Sequence, residues 1–186
     1  MANISVNEIS LHCHRQSDPG DVTAIEVSLA RGPDGTIDIV YRVSGQVDLV
    51  EIPVLQAPDR ADDIWKNTCF ELFIRKSKEN FYLEYNFAPS GQWAAYQFDD
   101  YRAGGGDAEA SVPVIQTARH TNIFVLSASI VLPDSWRTSE LLAGISAVLA
   151  SKAGDISYWA LAHPPGKPDF HHRDCFALQL EAPSAA

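Results

Sequence analysis

The segment HPPGKPDFHH, residues 163–172, concentrates three of the six histidines of the chain with an aspartate, a lysine and three prolines. Its imidazole and carboxylate groups are of the kind that bind zinc and other divalent ions: His163, Asp169, His171 and His172. Their spacing matches no recognised ligand pattern, and adjacent histidines on an extended segment point to opposite sides. Three interpretations therefore stay open, namely a metal site, a loop that contacts a ligand, and a structural turn.

The backbone chemistry of this loop supports contact with a ligand. Three prolines and Gly166 make the segment stiff. A rigid loop presents polar side chains with little ordering cost when a ligand binds. On this interpretation the loop contributes four ligand-binding residues: His163, Lys167, Asp169 and His171.

Two glutamates form a second polar group, on the strand-like segments TCFELFIR and FYLEYNFA. Because side chains alternate along a strand, Glu71 shares a face with Cys69 and Phe73, opposite an apolar face. Glu84 shares a face with Asn86 in the same way. A hairpin in which paired residue numbers sum to about 155 would place Glu71 directly opposite Glu84.

Like charges in such a position are destabilising unless an arginine, a shared proton, a metal or a ligand compensates for them. The structural interpretation is that the glutamates face solvent or form a salt bridge. A second interpretation is a binding face, on which Glu84, Asn86 and nearby aromatic rings hold a polar ligand. The third is acid–base catalysis by Glu71 and Glu84 on a glycosidic bond.

Tryptophan side chains offer a flat apolar face with one polar group, which suits either a sugar ring or a core. Trp65 lies in a polar, proline-bounded segment, and Trp93 follows a turn, so both fit the mouth of a pocket. Trp159 lies in the alternating segment SYWALA, which is more typical of a core.

The elements that must position these groups are short strands. Alternation with period two predicts a hairpin over residues 23–43 and a meander over 68–75, 81–88 and the segment QWAAYQFDDYR. LLAGISAVLA and ISYWALA are predicted to form another hairpin, and DCFALQLEA one more strand. Eight or more strands predict an all-β fold, an antiparallel β-sandwich or barrel, in a single domain over residues 1–186.

Charge and cysteine content narrow the classes of partner. The 14 basic and 24 acidic residues give a formal charge of −10, which repels phosphate backbones and anionic membranes. The sequence shows no signal peptide and no apolar run of membrane-spanning length. Cys13, Cys69 and Cys175 suggest no disulfide framework. We therefore expect a cytoplasmic protein that binds neither nucleic acid nor membranes.

Three longer stretches, RADDIWKNTCFELFI, FYLEYNFAPSGQWAAYQFDDYR and ISYWALAHPPGKPDFHHRDCFAL, resemble the bacterial DOMON-like proteins. These are small relatives of the carbohydrate-binding module family 9 group, and the resemblance covers roughly residues 50–180. It implies an antiparallel β-sandwich with a ligand pocket at one side of a sheet. Sugar-binding members clamp a saccharide between tryptophans, which implies Trp65 with Trp93 or Trp159, above Glu84 and Asn86.

Haem-binding members of the same wider group ligate iron with methionine and either histidine or lysine. The only methionine here is Met1. Because the methionine ligand of those members has no counterpart within the resembling region, ligation of haem iron by His163 and His171 is the alternative that remains.

We accordingly expect a non-catalytic module, without a resident cofactor, that binds a small polar ligand such as a saccharide or glycan fragment. The expected pocket is ringed by Trp65, Glu84, Asn86, Trp93 and the 163–172 loop. The alternatives are a carbohydrate-active enzyme that uses Glu71 and Glu84, and a haem or metal protein that uses the histidine-rich loop.

Overall fold

The protein is built from twelve strands and four short 3₁₀ helices, seen in a computed structural model that describes residues 7–183. The strands are β1 (Asn7–Cys13), β2 (Val22–Arg31), β3 (Thr36–Gly45), β4 (Cys69–Lys76), β5 (Tyr82–Phe87), β6 (Trp93–Phe98), β7 (Gly106–Asp107), β8 (Val114–His120), β9 (Ile123–Val131), β10 (Leu141–Ala150), β11 (Ile156–Ala160) and β12 (Leu178–Leu180). The 3₁₀ helices are Val47–Leu49, Ile64–Lys66, Asp134–Trp136 and Arg173–Cys175.

All the strand pairs are antiparallel, and β1 connects two halves of one curled sheet. The first half has the order β1-β2-β3-β9-β8, and the second has the order β7-β6-β5-β4-β10-β11, with β12 paired to β10. The start of β1 pairs with β2, whereas His12 and Cys13 pair with β11. The predicted all-β antiparallel fold is confirmed, and its two halves pack against each other as in a β-sandwich.

The core lies between the two halves and follows the period-two alternation of the sequence. One face of each long strand is apolar and buried there: Ile25, Val27, Leu29, Ile37, Ile39 and Tyr41 from the first half, and Phe70, Leu72, Ile74, Leu83, Tyr85 and Phe87 from the second. Burial of these side chains is the main favourable contribution to folding, about 1.5–3 kcal/mol for each large one. The apolar faces predicted for β4 and β5 are confirmed.

Most of the predicted strand pairs are also confirmed. The hairpin over residues 23–43 corresponds to β2 and β3, and β4, β5 and β6 form the meander. LLAGISAVLA is β10, and it pairs with β11. Gly144 lets another part of the backbone approach β10 closely, since a Cβ there would lie 3.0 Å from the carbonyl oxygen of Cys175.

Two predictions about local structure are wrong. DCFALQLEA is not one continuous strand, since a 3₁₀ helix ends at Cys175 and only Leu178–Leu180 is extended. The β4–β5 register is two residues away from the predicted one, so that Glu71 faces Asn86 and Glu84 faces Phe73. Because the side-chain period is two, this shift leaves every residue on its predicted face.

Both faces of β4 and β5 are buried, because two irregular segments cover the face that points away from the core. Residues 161–176 cover an apolar cluster that contains Phe73 and Tyr82. Residues 61–66 cover a second cluster, around Cys69 and Ala94. None of the helices in the described range is long and apolar enough to cross a membrane.

One side-chain hydrogen bond crosses the core between the two halves. Tyr41 on β3 is fully buried, and its hydroxyl donates to the backbone carbonyl of Glu71 on β4 at 2.8 Å. Tyr85 is buried in the same core, but its hydroxyl has no hydrogen-bond partner within residues 7–183.

The contrast between the hydrogen-bonded hydroxyl of Tyr41 and the hydroxyl of Tyr85 provides a matched pair of variants. We expect Tyr41→Phe to lower the free energy of unfolding by about 1–2 kcal/mol, since it removes a buried hydrogen bond. Tyr85→Phe is the control, and we expect a change within about 0.5 kcal/mol. Urea denaturation of the three proteins measures both values. Equal effects of the two substitutions would show that the Tyr41 hydroxyl does not stabilise the contact between the halves.

Candidate functional site

A cavity of about 750 Å³ opens on the outer face of the second half of the sheet, between the two covering segments. Its base is formed by side chains of β4, β5, β6, β10 and β11, and its walls by the segments around residues 62–65 and 167–171. Carboxyl groups, aromatic rings and two cationic side chains line it: Asp62, Asp63, Trp65, Glu71, Phe73, Glu84, Tyr96, Phe98, Arg102, Val148, Tyr158, Lys167, Pro168, Asp169, Phe170 and His171.

Glu71 and Glu84 form the floor of this cavity, and only 3% and 5% of their surfaces are exposed. They lie diagonally on the adjacent strands β4 and β5. Glu71 Oε2 accepts a hydrogen bond from Ser146 Oγ at 3.1 Å, and Glu84 Oε1 accepts one from Asn86 Nδ2 at 2.7 Å. Within residues 7–183, the other oxygen of each carboxyl has no hydrogen-bond donor and is available to a ligand.

The pKa values of both carboxyls are raised. Burial, followed by the nearby charge of Glu84, lifts the pKa of Glu71 well above its ordinary value, against the hydrogen bond from Ser146. Burial also raises the pKa of Glu84, but Asn86 and Arg102 oppose the shift. Since two adjacent buried carboxylates repel each other, the pair as a whole retains a proton above the usual carboxyl range.

Aromatic rings surround the floor. Phe98 on β6 stacks on Tyr82 with ring centroids 4.8 Å apart and an interplanar angle of 12°. Tyr96, two residues earlier on the same face of β6, donates its hydroxyl to Asp62 Oδ1 at 3.0 Å, which joins the sheet to one wall. At the rim, Trp65 is 44% exposed.

His171 reaches into the site as a neutral imidazole. Its ring packs edge-on against Phe73 and Phe98, with centroids 5.2 and 5.0 Å away. Burial and the positive charge of Arg102 lower its pKa to about 4. Tyr82 Oη lies 2.8 Å from His171 Nδ1, and His171 Nε2 lies 3.7 Å from Glu84 Oε2.

Asp169 fixes the histidine-rich loop to the rest of the site. Its carboxylate accepts hydrogen bonds from Tyr101 Oη at 2.6 Å, from Arg102 at 2.9 Å and from the backbone N–H of His171 at 3.2 Å. Burial alone would raise the pKa of Asp169, but these hydrogen bonds hold it below its ordinary value. The side chain therefore orders the loop, while its own oxygens are occupied.

Six of the residues predicted for ligand binding line the cavity: Trp65, Glu71, Glu84, Lys167, Asp169 and His171. Asn86 is fully buried below them and acts on Glu84 rather than on the cavity.

Three predicted residues lie elsewhere. Trp93 and Trp159 belong to the core, where their indole N–H groups donate to Pro58 O and Ser157 Oγ. His163 packs against His14, and its Nε2 lies 2.8 Å from His12 O. The tryptophan clamp implied by the resemblance is therefore reduced to Trp65.

The predicted ligand-binding set omitted several residues that line the cavity, among them Phe73, Tyr96, Phe98 and Arg102. The alternation in QWAAYQF contained a signal for two of them, because Tyr96 and Phe98 share one parity whereas Trp93 has the opposite one. Arg102 follows β6 in an irregular segment, and no sequence pattern indicated its position.

The histidines of the 163–172 loop are engaged in contacts within the protein. Within the described residues 7–183, no group of three or more His, Cys, Asp or Glu side chains is arranged to hold a metal ion. His171 Nδ1 is paired with Tyr82, and His163 Nε2 with a backbone carbonyl. Met1, the methionine considered for haem, lies outside the described residues.

Comparison with known proteins supports the fold. No protein-family model and no curated protein matches the chain. Among solved structures, a candidate carbohydrate-binding protein from Bacteroides uniformis has a TM-score of 0.64 at 12% identity, over 92% of this chain and 84% of that one. A family 9 carbohydrate-binding module from Caldicellulosiruptor kristjanssonii, in complex with cellotriose, has a TM-score of 0.50 at 11% identity, over 89% and 75%. At this identity the likeness shows the fold.

The raised pKa of Glu71 predicts how its replacement affects stability. A buried carboxyl that favours its neutral form loses stability as the pH rises from the ordinary value of 4.5 through the raised pKa. Glu71→Gln cannot ionise, so we expect its stability relative to the parent protein to increase with pH. The increase is at most about 1.4 kcal/mol per pH unit, the limit for one proton.

Urea denaturation of both proteins between about pH 4.5 and 8 measures this difference. Glu26→Gln, at an exposed position of β2, is the matched control and should show no comparable trend. A stability difference between Glu71→Gln and the parent that does not change with pH would contradict the raised pKa of Glu71.

Proposed function

We propose that this protein is a non-catalytic module that binds a saccharide or glycan fragment over Glu71 and Glu84. The observation that carries the proposal is a cavity with aromatic walls, on whose floor two carboxyl oxygens have no donor within the described residues. Pockets for small ligands commonly combine apolar walls with a few placed polar groups.

The chemistry of a sugar ring matches this surface. A pyranose presents C–H groups on its faces, which pack against the flat faces of aromatic rings such as Trp65 and Tyr96. Its hydroxyl groups both donate and accept hydrogen bonds, so they suit Glu71 Oε1 and Glu84 Oε2 whichever of the two carboxyls holds the proton. Both requirements are met within one cavity of about 750 Å³, which is large enough for a short saccharide.

The site is also held in place before any ligand binds, which reduces the ordering cost of binding. The carboxylate of Asp169 fixes the loop, and His171 is packed among rings. Asp63 and Arg102, the non-glycine residues with positive φ in the described range, at 60° and 52°, both line the cavity. Such conformations cost energy and tend to occur at ligand-binding sites.

The fold and the residue patterns support a finer assignment. The architecture shared with a family 9 module that was solved with cellotriose agrees with the proposal that this chain is a DOMON-like relative of that group. A cytoplasmic location is part of the proposal, and the free thiols of Cys13, Cys69 and Cys175 are compatible with a reducing compartment.

Replacement of Trp65 tests the binding proposal. We expect Trp65→Ala to weaken binding of the saccharide by about two- to tenfold, because ring stacking contributes about 0.5–1.5 kcal/mol. Titration calorimetry with short glucans and glucosamine oligosaccharides measures the affinity. Trp65 lies at the rim, so the fold and the melting temperature should change little.

Val114→Ala is a suitable control, because Val114 is also an exposed apolar residue, at 61%, but lies on β8 in the other half of the sheet. We expect this variant to bind like the parent. An unchanged affinity in Trp65→Ala would remove Trp65 from the site, and the absence of binding to every saccharide tested would overturn the proposed function.

A carbohydrate-active enzyme is the second candidate, because a carboxyl with a raised pKa in a cavity is a property of general acids. The geometry favours binding instead. Glycosidases place their two carboxyl groups on either side of the scissile bond. Glu71 and Glu84 rise from adjacent strands on the same face of the sheet, so both approach a ligand from one side.

A turnover assay distinguishes the two candidates. We expect no hydrolysis of aryl glycosides or oligosaccharides by the parent protein above the level of the Glu71→Gln/Glu84→Gln double variant. Hydrolysis by the parent that each single Gln substitution lowers by a factor of 100 or more, on the order expected for loss of a general acid or base, would establish the enzyme.

A further inference from the structure

We infer that the ligand of this cavity carries a protonated amine, so that amino sugars are the class of saccharide it binds. The inference rests on the proposed saccharide-binding function and adds the charge of the ligand. It is carried by two nearly fully buried carboxyl groups that face the cavity without a protein cation of their own.

The charged side chains that line the cavity are predominantly acidic. Two of them are cationic, Arg102 and Lys167, whereas five carry carboxyl groups: Asp62, Asp63, Glu71, Glu84 and Asp169. An amine-bearing ligand entering this cavity therefore meets a favourable field, and an anionic ligand meets an unfavourable one.

Three of the five carboxylates have partners at the walls. Asp63 pairs with Lys66 at 2.7 Å, and Asp169 pairs with Arg102 at 2.9 Å. Asp62 accepts a hydrogen bond from a tyrosine hydroxyl. These groups are at least partly exposed to solvent, and none of them needs a ligand to balance its charge.

Glu71 and Glu84 differ from these three residues in both solvent exposure and charge partners. They are almost completely buried, and neither lies within 4.0 Å of a lysine or arginine nitrogen in residues 7–183. The guanidinium of Arg102 is engaged by Asp169, and Lys167 makes no ion pair with either carboxyl. The basic group closest to the pair, His171, is neutral at neutral pH.

A buried carboxylate pair costs free energy unless a cation or a proton compensates for it. In the free protein a proton retained by the pair has this role. An ammonium group can replace it, since its three N–H donors reach both Glu71 Oε1 and Glu84 Oε2 in charge-assisted hydrogen bonds. A sugar hydroxyl donates only one hydrogen bond and leaves the charge of the pair uncompensated.

The aromatic rings beside the floor favour the same ligand. Cations bind over the faces of aromatic rings within about 6 Å of the centroid, and rings combined with carboxylates are a recurring environment for ammonium groups. Phe73, Tyr96 and Phe98 line the cavity next to the two glutamates. Trp65 at the rim provides a separate aromatic face for the sugar ring, so one cavity has groups for both parts of an amino sugar.

The test compares ligands that differ only at the amine. We would titrate the protein at about pH 6.5, where a sugar amine is protonated, with the β-1,4-linked glucosamine disaccharide, its N-acetylated form and cellobiose. We expect the free amine to bind at least tenfold more tightly than either neutral disaccharide. Glu71→Gln should remove most of this preference, whereas the exposed control Glu26→Gln should keep it.

The outcomes separate this inference from the proposed function. Binding of cellobiose as tight as that of the amino disaccharide would overturn the amine inference and leave saccharide binding intact. Failure of all three disaccharides to bind would overturn both. If 1,4-diaminobutane bound as tightly as the amino disaccharide, recognition of the sugar ring would be refuted. The comparison within the parent protein is decisive even if Glu71→Gln does not fold.

Discussion

The burial of two adjacent carboxyl groups is the constraint on which the outer face of this protein depends. Glu71 and Glu84 lie on the side of β4 and β5 that a simple sandwich would leave in water. Two irregular segments cover that side instead and leave a cavity above the two glutamates. Because desolvation raises the pKa of both groups, the cover converts an ordinary pair of surface acids into a site whose charge a single proton or ligand can change.

The core holds this pair in position from the opposite face of the same strands. Phe70 and Leu72 flank Glu71 in sequence and are fully buried between the two halves. Tyr41 binds the backbone of Glu71 itself, so the first half of the sheet fixes the strand that presents the carboxyl. The position of Glu71 is thus determined by contacts made on the side of the sheet away from the ligand. Strand-borne groups supported in this way are placed more accurately than groups on loops.

Much of this arrangement follows from local sequence patterns. Period-two alternation was sufficient to place Phe70, Leu72 and Ile74 in the core and Glu71 on the other face, because alternation depends only on backbone geometry. Register depends on how the connection between two strands closes, and KSKEN shifts the pairing by two residues from the prediction. The prediction placed Glu71 directly opposite Glu84, whereas the two residues are diagonal in the structure. The same side chains share the cavity in either register.

The residues that were misplaced depend on long-range packing. Trp93 and Trp159 were considered for the clamp on chemical type, yet both have the parity of core positions in their strands. Parity distinguishes the two faces of a strand, but it does not show which face a covering segment will bury. Arg102 enters the site because a loop distant in sequence brings Asp169 to it, and such a contact has no signature in a local pattern.

The energetic balance of the site is itself an argument for a ligand. A pair of buried acids without a protein cation is less favourable than apolar residues of similar volume, so stability alone does not account for Glu71 and Glu84. The nearby rings and the walls are already well packed, with Tyr82, Phe98 and His171 in mutual contact. A fold that keeps such a pair facing a preformed cavity stores unfavourable electrostatic energy, and a cationic ligand that neutralises the pair recovers that energy as affinity.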